Sequence, residues 1–195
     1  MRVVEFYFDL MSPFSYLAAT RIDAVAAGAG AEAHWKPFFL PGVMKATGNR
    51  GPTEIMAKAI YSLKDLNDWA KHLGLPPVEL PDEFPFISLT ADRLAFVAGE
   101  HGKLREWCLR MFKKIWAERA DCNNVELLTA ELKAIGLDPA AAFERAKAED
   151  IKAKLKANTD EAIEKGAFGA PTFFVDGEMF VGNDRLMFVE QALRR

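Results

Sequence analysis

The chain has 195 residues, of which 50% are hydrophobic and 27% are charged, and its formal net charge is −3. This is an ordinary globular composition with enough length for a substantial core, and the slightly negative charge argues against a nucleic-acid partner. No apolar run approaches the ~18 residues of a membrane span, and the N-terminus lacks a signal-peptide pattern, so no membrane partner is expected. The two cysteines, Cys108 and Cys122, are too few for a disulfide framework and too far apart for a redox motif. We therefore expect a cytoplasmic protein.

The first part of the chain predicts a strand, a helix and a second strand. Residues 3–9 are β-branched and aromatic, which is typical of a strand. Ser12-Pro13 follows as an N-cap residue and a proline at the first helical position, and apolar spacing predicts one helix from there to Gly28. Residues 34–39 predict a second strand, closed off by Pro41-Gly42. Together they indicate a βαβ unit with a right-handed crossover.

The middle of the chain, residues 43–165, predicts an all-helical insertion. Apolar residues recur three and four apart in segments 54–73, 91–117, 125–135 and 139–164, and each segment predicts a helix. The stretch 76–85 carries four prolines and is expected to be non-helical.

The last part, residues 166–195, returns to strand. Segments 172–175 and 178–181 flank Asp176-Gly177, a two-residue hairpin signal, and an amphipathic helix is expected at 184–194. Because a two-stranded piece cannot bury its own faces, the first and last parts must pair in one sheet of about four strands. The sequence thus predicts an α/β fold in which one domain, residues 1–42 and 166–195, is interrupted by the helical domain 43–165.

Ser12, at a predicted helix start, is the first candidate for chemistry. Unpaired amides at a helix start stabilise an anion, and a hydroxyl can donate one more hydrogen bond. A thiolate benefits from such surroundings, because a lower thiol pKa raises the fraction of nucleophile at neutral pH. Ser followed by Pro is also an ordinary N-cap, and the sequence leaves both interpretations open.

Two later segments offer further candidates. Pro171 enters a strand after small residues, which fits either a cis Ala170–Pro171 bond that presents the Ala170 backbone to an extended peptide or a trans proline at a sheet edge. Asp184, in the segment Gly182-Asn183-Asp184-Arg185, either caps the last helix or receives a ligand's ammonium group.

The loop after the first domain piece carries two cations and an amide. Lys45 and the segment 48–52 either bind an anion or form a plain turn. Lys58, Tyr61 and Lys64 follow at helical spacing, which a polar helix face explains without a ligand. The three histidines are dispersed, and no group of His, Cys, Asp or Glu has zinc spacing, so no metal site is expected.

Several motifs resemble, in order and over essentially the whole chain, those of 2-hydroxychromene-2-carboxylate isomerases and kappa-class glutathione transferases. They are the segments 8–17, 48–52, 61–70, 166–172 and 182–186. The resemblance implies a thioredoxin-like fold in which a Ser-led motif at 12–15 replaces Cys-x-x-Cys, with glutathione as cofactor and a homodimeric assembly. The chain departs from the family pattern at Val181, where the isomerases usually have Trp, and at Asp68, where they usually have Arg. Both departures concern the second substrate.

The same resemblance implies roles for single residues. Ser12 would hydrogen-bond the glutathione sulfur, and Ala170, before a cis Pro171, would pair with the tripeptide backbone. Asn183 and Asp184 would hold the γ-glutamyl end, and Asn49 and Lys58 would lie near the glutathione or the second-substrate pocket. Lys45 and Tyr61 would contact the second substrate.

The expected function is therefore glutathione-dependent cis–trans isomerisation of 2-hydroxychromene-2-carboxylate-type intermediates of aromatic degradation, by reversible thiolate addition. A kappa-like glutathione transferase would use the same thiolate on an electrophilic substrate and release the adduct. A non-catalytic glutathione- or peptide-binding protein would bind without lowering the thiol pKa. A disulfide oxidoreductase is disfavoured, because Ser12 and Ser15 occupy the cysteine positions.

Overall fold

A four-stranded mixed sheet organises the chain in the computed structural model, which describes residues 2–195. Its strands stand in the order β2-β1-β3-β4. β1 runs parallel to β2 and antiparallel to β3, and β3 pairs antiparallel with β4. The strands are β1 (Val3–Phe8), β2 (Glu32–Pro37), β3 (Thr172–Val175) and β4 (Glu178–Val181). The first and last parts of the chain therefore do form one sheet, as their sequences predict.

The hairpin predicted at Asp176-Gly177 is present between β3 and β4. Asp176 and Gly177 both have positive φ, of 49° and 85°. Such a turn matches the twist of the two strands and favours Asp and Gly at these positions. The hairpin places β4 at the sheet edge and directs the chain toward the last helix.

The two faces of the sheet bury alternate side chains. Phe6, Trp35 and Phe173 lie on one face, where the Phe6 ring stacks on Phe173 at 5.3 Å and meets Trp35 edge-on at 5.1 Å between centroids. Tyr7 and Phe174 lie on the other face in a smaller apolar cluster. Four of the six β1 residues are buried, and they belong to both faces, which explains why β1 is a nearly continuous apolar run.

Ten α-helices lie within residues 2–195. They are α1 (Pro13–Ala19), α2 (Ile22–Gly28), α3 (Leu40–Thr47), α4 (Met56–His72), α5 (Leu89–Glu100), α6 (Leu104–Glu118), α7 (Val125–Ala134), α8 (Pro139–Ala146), α9 (Glu149–Glu164) and α10 (Leu186–Leu193). None of them is long and apolar enough to cross a membrane.

Three helices predicted as single elements are each divided into two. The breaks fall after Ala19, at residues 101–103 and at residues 147–148. At the second break Gly102 has φ 69°, and the amide of Lys103 returns to the carbonyl of Ala98 at 2.8 Å, which ends α5. Apolar residues recur three and four apart on both sides of each break, and the interruption is only two or three residues long, so this spacing alone does not reveal it.

The second strand and the residues after it also differ from the prediction. β2 ends at Pro37 rather than at residue 39, and Pro41-Gly42 lies inside the first turn of α3 instead of closing a strand. Proline is favoured in the first turn of a helix, where its missing N–H has no intrahelical partner to lose. The last predicted helix likewise begins with a 3-10 turn, Asn183–Arg185, before α10.

One apolar core joins the sheet to the helical part of the chain. Trp107, Phe112 and Trp116 of α6 are fully buried in the cluster that contains Phe6 and Phe8. The Trp116 Nε1 also donates to the carbonyl of Leu10 at 3.0 Å, directly after β1. The division into domains at residues 43 and 165 stays a prediction, and α6 supports the turn in which Ser12 lies.

Candidate functional site

A cleft of about 430 Å³ opens where the turn after β1 meets α3, α4 and three loops. Its walls are mainly apolar, with Met11, Phe14, Met44, Leu66 and Phe84 among the lining residues. The lining also includes Ser12, Asn49 and Ala170. A largely apolar cleft with a few converging polar groups is the usual form of a small-molecule site.

Ser12 lies in the cleft wall and caps α1. Its side chain is nearly buried, with 4% of the residue exposed. The Oγ accepts a hydrogen bond from the Ser15 amide at 3.2 Å and donates one to the Ala170 carbonyl at 3.1 Å. The hydroxyl proton is thus already engaged, and a bound anion must compete with the Ala170 carbonyl for it.

The first turn of α1 offers fewer free amides than its position suggests. Pro13 has no N–H, and the Ser15 amide donates to Ser12. The Phe14 amide makes no hydrogen bond to any residue in the range 2–195. An anion beside Ser12 would therefore have two donors, the Ser12 hydroxyl and the Phe14 amide.

The proline loop, residues 166–171, forms the part of the wall next to the start of α1. The Ala170–Pro171 bond is cis, as the resemblance implies. The Ala170 amide has no partner within the described part of the chain. The Pro171 carbonyl accepts from the Gly182 amide at 2.9 Å, which ties the loop to the end of β4. Ala170 therefore offers one free backbone donor to the cleft, and Pro171 lies buried behind it.

Asn49 links two walls of the cleft. Its Nδ2 donates to the Phe168 carbonyl at 2.7 Å, and its Oδ1 accepts from the Gly51 amide at 2.9 Å. Gly51 has φ 72°, a conformation that favours glycine. The carboxamide of Asn49 thereby holds the loop after α3 against the proline loop.

Asn183 and Asp184 stand in different environments. Asn183 is 2% exposed, and its Oδ1 accepts from Arg21 Nη2 at 2.9 Å. Asp184 is half-exposed and faces Arg185, whose Nη1 lies 3.5 Å from its Oδ2. Gly182 has φ 107°, and a Cβ there would lie 2.5 Å from Asp184 Oδ1, so only glycine fits. Asp184 is open to a ligand, whereas the Asn183 carboxamide is occupied.

Arg50 is the one ionisable side chain among the described residues that line the cleft. It lies at the rim, highly exposed, and pairs with Glu54 at 2.9 Å. Near Asp184, burial and the charges of Asp184 and Asp68 raise the pKa of Asp65. The lining of the cleft is thus neutral apart from the cation at its rim, and Asp65 and Asp184 lie outside the lining.

Comparison with known proteins identifies the family of the chain. The family model described as a DSBA-like thioredoxin domain matches residues 3–194. The chain belongs to this family. The thioredoxin-like fold predicted from the motifs is thereby confirmed.

Relatives of this DSBA-like chain include two kinds of enzyme. A 2-hydroxychromene-2-carboxylate isomerase of Sphingobium xenophagum is 31% identical over 98% of both chains. Glutathione S-transferase kappa 1 of Caenorhabditis elegans is 30% identical over 98% of this chain and 91% of its own. The solved structure of an HCCA isomerase superposes with a TM-score of 0.88 at 30% identity, covering 98% of this chain and 94% of that one. The resemblance to both groups is confirmed.

The structure of this DSBA-like protein brings some of the predicted site residues together and leaves others apart. Ser12, Asn49 and Ala170 share the cleft lining, whereas Lys45 and Lys58 lie exposed on α3 and α4 outside it. Tyr61 is 64% exposed on α4, also outside the lining. The roles of these residues stay predictions. Within residues 2–195 no group of three or more metal-ligating side chains is present.

Sequence reasoning did not foresee the apolar walls of the cleft. Phe14, Leu66 and Phe84 line it, but their spacing is that of ordinary core residues. Apolar periodicity marks a face that is covered, and a cleft wall and a packed core give the same pattern. The position of Arg50 at the rim depends on the turn at Gly51, which the sequence signals only as a loop.

Proposed function

We propose that the protein is a glutathione-dependent cis–trans isomerase of 2-hydroxychromene-2-carboxylate-type aromatic intermediates. The observation that carries the proposal is Ser12, a nearly buried hydroxyl in the wall of an apolar cleft, in a chain similar over its whole length to such isomerases. A hydroxyl there can donate to a sulfur anion but cannot form the disulfide that a cysteine would. Glutathione would therefore remain a diffusible cofactor.

The proposed binding mode uses free groups of the cleft lining and polar side chains outside it. The sulfur would lie between the Ser12 hydroxyl and the Phe14 amide, and the Ala170 amide would pair with a peptide carbonyl of the tripeptide. The γ-glutamyl end would reach Asp184, where an ammonium group would also relieve the repulsion that Asp65 experiences. Asn183 would orient this end through Arg21. Lys58, on the exposed side of α4, is the candidate for the glycyl carboxylate side.

The proposed reaction is addition followed by elimination. The glutathione thiolate forms a C–S bond to a conjugated carbon of the substrate, and the electron pair of the former double bond moves onto the substrate carbonyl as an enolate. Rotation about the new single bond follows, the enolate re-forms the double bond, and the C–S bond breaks. Glutathione leaves as thiolate and is not consumed. A thiol of lowered pKa serves both steps, because it is also a better leaving group.

A cation near the enolate would stabilise the addition step. The resemblance implies that Lys45 lies on the substrate side, which makes it one candidate, and Arg50, the cation on the cleft lining, is the other. Replacement of each by Met tests the two separately. The variant that loses turnover while keeping glutathione affinity identifies the cation that faces the substrate.

A kappa-like glutathione transferase is the second candidate, and the 30% identity to kappa 1 over 98% of the chain favours it. The two functions differ in the fate of the thiol. The test is incubation with glutathione and either a hydroxychromene carboxylate or an activated chloroarene, with product and free thiol followed together. Isomer formation without thiol loss supports the isomerase. Thiol loss equal to adduct formed supports the transferase. Glutathione binding without turnover would leave a non-catalytic binding protein.

The homodimer and the cytoplasmic location belong to the same proposal. Sedimentation of the purified chain tests the first and fractionation of cells tests the second.

A further inference from the structure

Asp9, directly after β1, is fully buried and accepts hydrogen bonds from three separate segments. Its Oδ1 accepts from the Met11 amide at 2.9 Å and from the Ser88 hydroxyl. Its Oδ2 accepts from the Leu40 amide at 2.8 Å. A buried carboxylate with several donors is held in place, and it holds those donors in place in turn.

The three segments are three walls of the cleft. Met11 precedes Ser12 in the turn after β1, and Leu40 is the first residue of α3. Ser88 follows the loop that contributes Phe84 to the lining. Because Met11 and Leu40 themselves line the cleft, the single carboxylate of Asp9 fixes how far apart these walls stand.

Asp92, on α5, lies beside Asp9 and is also fully buried. Its Oδ1 accepts from the Leu10 amide at 3.3 Å, whereas its Oδ2 has no hydrogen-bond partner among the described residues. Burial, and the charge of Asp9, raise the pKa of Asp92 well above its usual range. Two buried carboxyl groups side by side cannot both ionise cheaply, so the carboxyl pair (Asp9 and Asp92) retains one proton.

We propose that Asp9 is a positioning residue for the thiol site, with Asp92 as its protonated partner. The proposal rests on the proposed function for its ligand, glutathione. In this role the ionised Asp9 sets the turn that carries Ser12 and the free Phe14 amide, and the proton on Asp92 keeps a second charge from appearing under that turn. If the Asp9 carboxylate were merely structural, its replacement would change the stability of the protein but not its glutathione affinity or the pKa of the bound thiol.

The surroundings of the carboxyl pair hold its proton in place. The ionisable groups that face it are Cys108 on α6 and Cys122 beyond the end of that helix. Burial raises the pKa of both thiols, that of Cys122 to about 12, so neither thiol carries a charge beside the pair at neutral pH. The other neighbour is the neutral Ser88 hydroxyl, a hydrogen-bond partner of the pair.

The experiment compares Asp9→Asn, Asp92→Asn and a control, Glu131→Gln. Glu131 is also nearly buried and pairs with Arg110 at 2.6 Å, but it lies on α7 outside the cleft lining. Infrared spectroscopy of the ligand-free proteins at neutral pH measures the carbonyl band of a protonated carboxyl group. Titration with glutathione measures the dissociation constant and the pKa of the bound thiol, and a thermal melt checks that each variant is folded.

Asp9→Asn places an amide donor against a backbone donor. We therefore expect the glutathione dissociation constant to rise roughly tenfold, equivalent to about 1.4 kcal/mol. We also expect a higher pKa of the bound thiol. Asp92→Asn should abolish the infrared band, and Glu131→Gln should preserve the band and both glutathione values. If Asp9→Asn does not fold, Ser88→Ala removes one donor to Asp9 and should weaken glutathione binding in the same direction.

Two results would overturn the proposal for Asp9 and its protonated partner Asp92. One is unchanged glutathione affinity and thiol pKa in folded Asp9→Asn, or in Ser88→Ala if Asp9→Asn does not fold. The other is the absence of a carboxyl band from the wild-type protein. A wild-type protein that binds no glutathione would instead refute the proposed function, and with it the ligand of this site, so the two failures are distinguishable.

Discussion

Replacement of Ser12 by Ala removes a hydroxyl that has two partners before any ligand binds. The Oγ accepts from the Ser15 amide and donates to the Ala170 carbonyl. We expect the variant to bind glutathione with a higher thiol pKa than the wild-type protein does, because one of the two donors to the sulfur is lost. The Phe14 amide remains, so part of the pKa depression should survive.

The size of the effect follows from the competition between the sulfur and the Ala170 carbonyl. A hydrogen bond to a charged group contributes about 1.5–3 kcal/mol, and a neutral one about 0.5–1.5 kcal/mol. Because the hydroxyl gives up the neutral bond at 3.1 Å to make the charged one, the net gain is about 1–1.5 kcal/mol. At ~1.4 kcal/mol per pKa unit, the bound thiol of the variant should titrate about one unit higher.

The assay is ultraviolet difference titration of bound glutathione from about pH 5 to 9, which follows the thiolate band. Ser15→Ala is the matched control, since the Ser15 hydroxyl is buried without a hydrogen-bond partner in the described chain and its removal leaves the backbone donor to Ser12 in place. Loss of the N-cap should also lower the melting temperature of Ser12→Ala by roughly 2–4 °C, for about 1 kcal/mol of capping energy.

An unchanged thiolate titration in Ser12→Ala would refute the assignment of Ser12 as the sulfur donor. A shift that appears equally in Ser15→Ala would refute it as well, because it would then arise from a general change in α1. A rise of two or more units would mean that the Ala170 carbonyl does not compete for the hydroxyl proton.

The other predictions concern the cleft wall, the carboxyl pair and the ion pairs between α9 and the sheet. Asn49→Ala should raise the KM for glutathione several-fold by freeing two loops, whereas Asn158→Ala, which loses a comparable bond on α9, should leave steady-state kinetics unchanged. Because the pKa of Asp92 is raised in the folded protein, the native state binds more protons than the unfolded state, and the stability of wild type falls as pH rises. Asp92→Asn lacks this loss, so between pH 4 and 8 its free energy of unfolding in urea should rise relative to that of wild type, by at most ~1.4 kcal/mol per pH unit. Burial favours a higher pKa for Glu161, but hydrogen bonds from two lysines outweigh it and lower that pKa to about 2. Glu161→Gln should therefore be less stable than wild type at pH 7, by a margin that vanishes as pH falls toward 2.

The strands and the hairpin could be predicted because their signals are local. The aromatic run of β1 and the turn at Asp176-Gly177 each specify one backbone shape. Helix breaks could not be predicted, because a turn as short as the one at Gly102 interrupts the apolar spacing over only a few residues, and the decisive hydrogen bonds form only in the folded chain. Register and the order of the strands depend on pairing between the two ends of the chain, which no local pattern encodes.

The candidate site shows the same limit. Ser12 and Ala170 each lie next to a local sequence signal: Ser-Pro marks a helix start, and Pro171 marks the beginning of a strand. The structure brings the two residues into hydrogen-bond contact. Asp9 ends a strand as any polar residue might, and its three donors come from positions 11, 40 and 88. A hub of long-range hydrogen bonds has no sequence signature, so its role emerges only from the folded chain.

Both cysteines are free, and both are buried within the core. Thiol–disulfide exchange requires an accessible thiolate, and burial denies Cys108 and Cys122 both the access and the charge. A protein that handles glutathione is exposed to its disulfide as well, and a surface cysteine would be modified by it. With both of its thiols enclosed, this chain should keep the same mass after incubation in oxidised or reduced glutathione buffer, and should show the same activity once reduced glutathione is supplied. Under the proposed function, its output would then follow the supply of reduced cofactor and not the redox history of the enzyme.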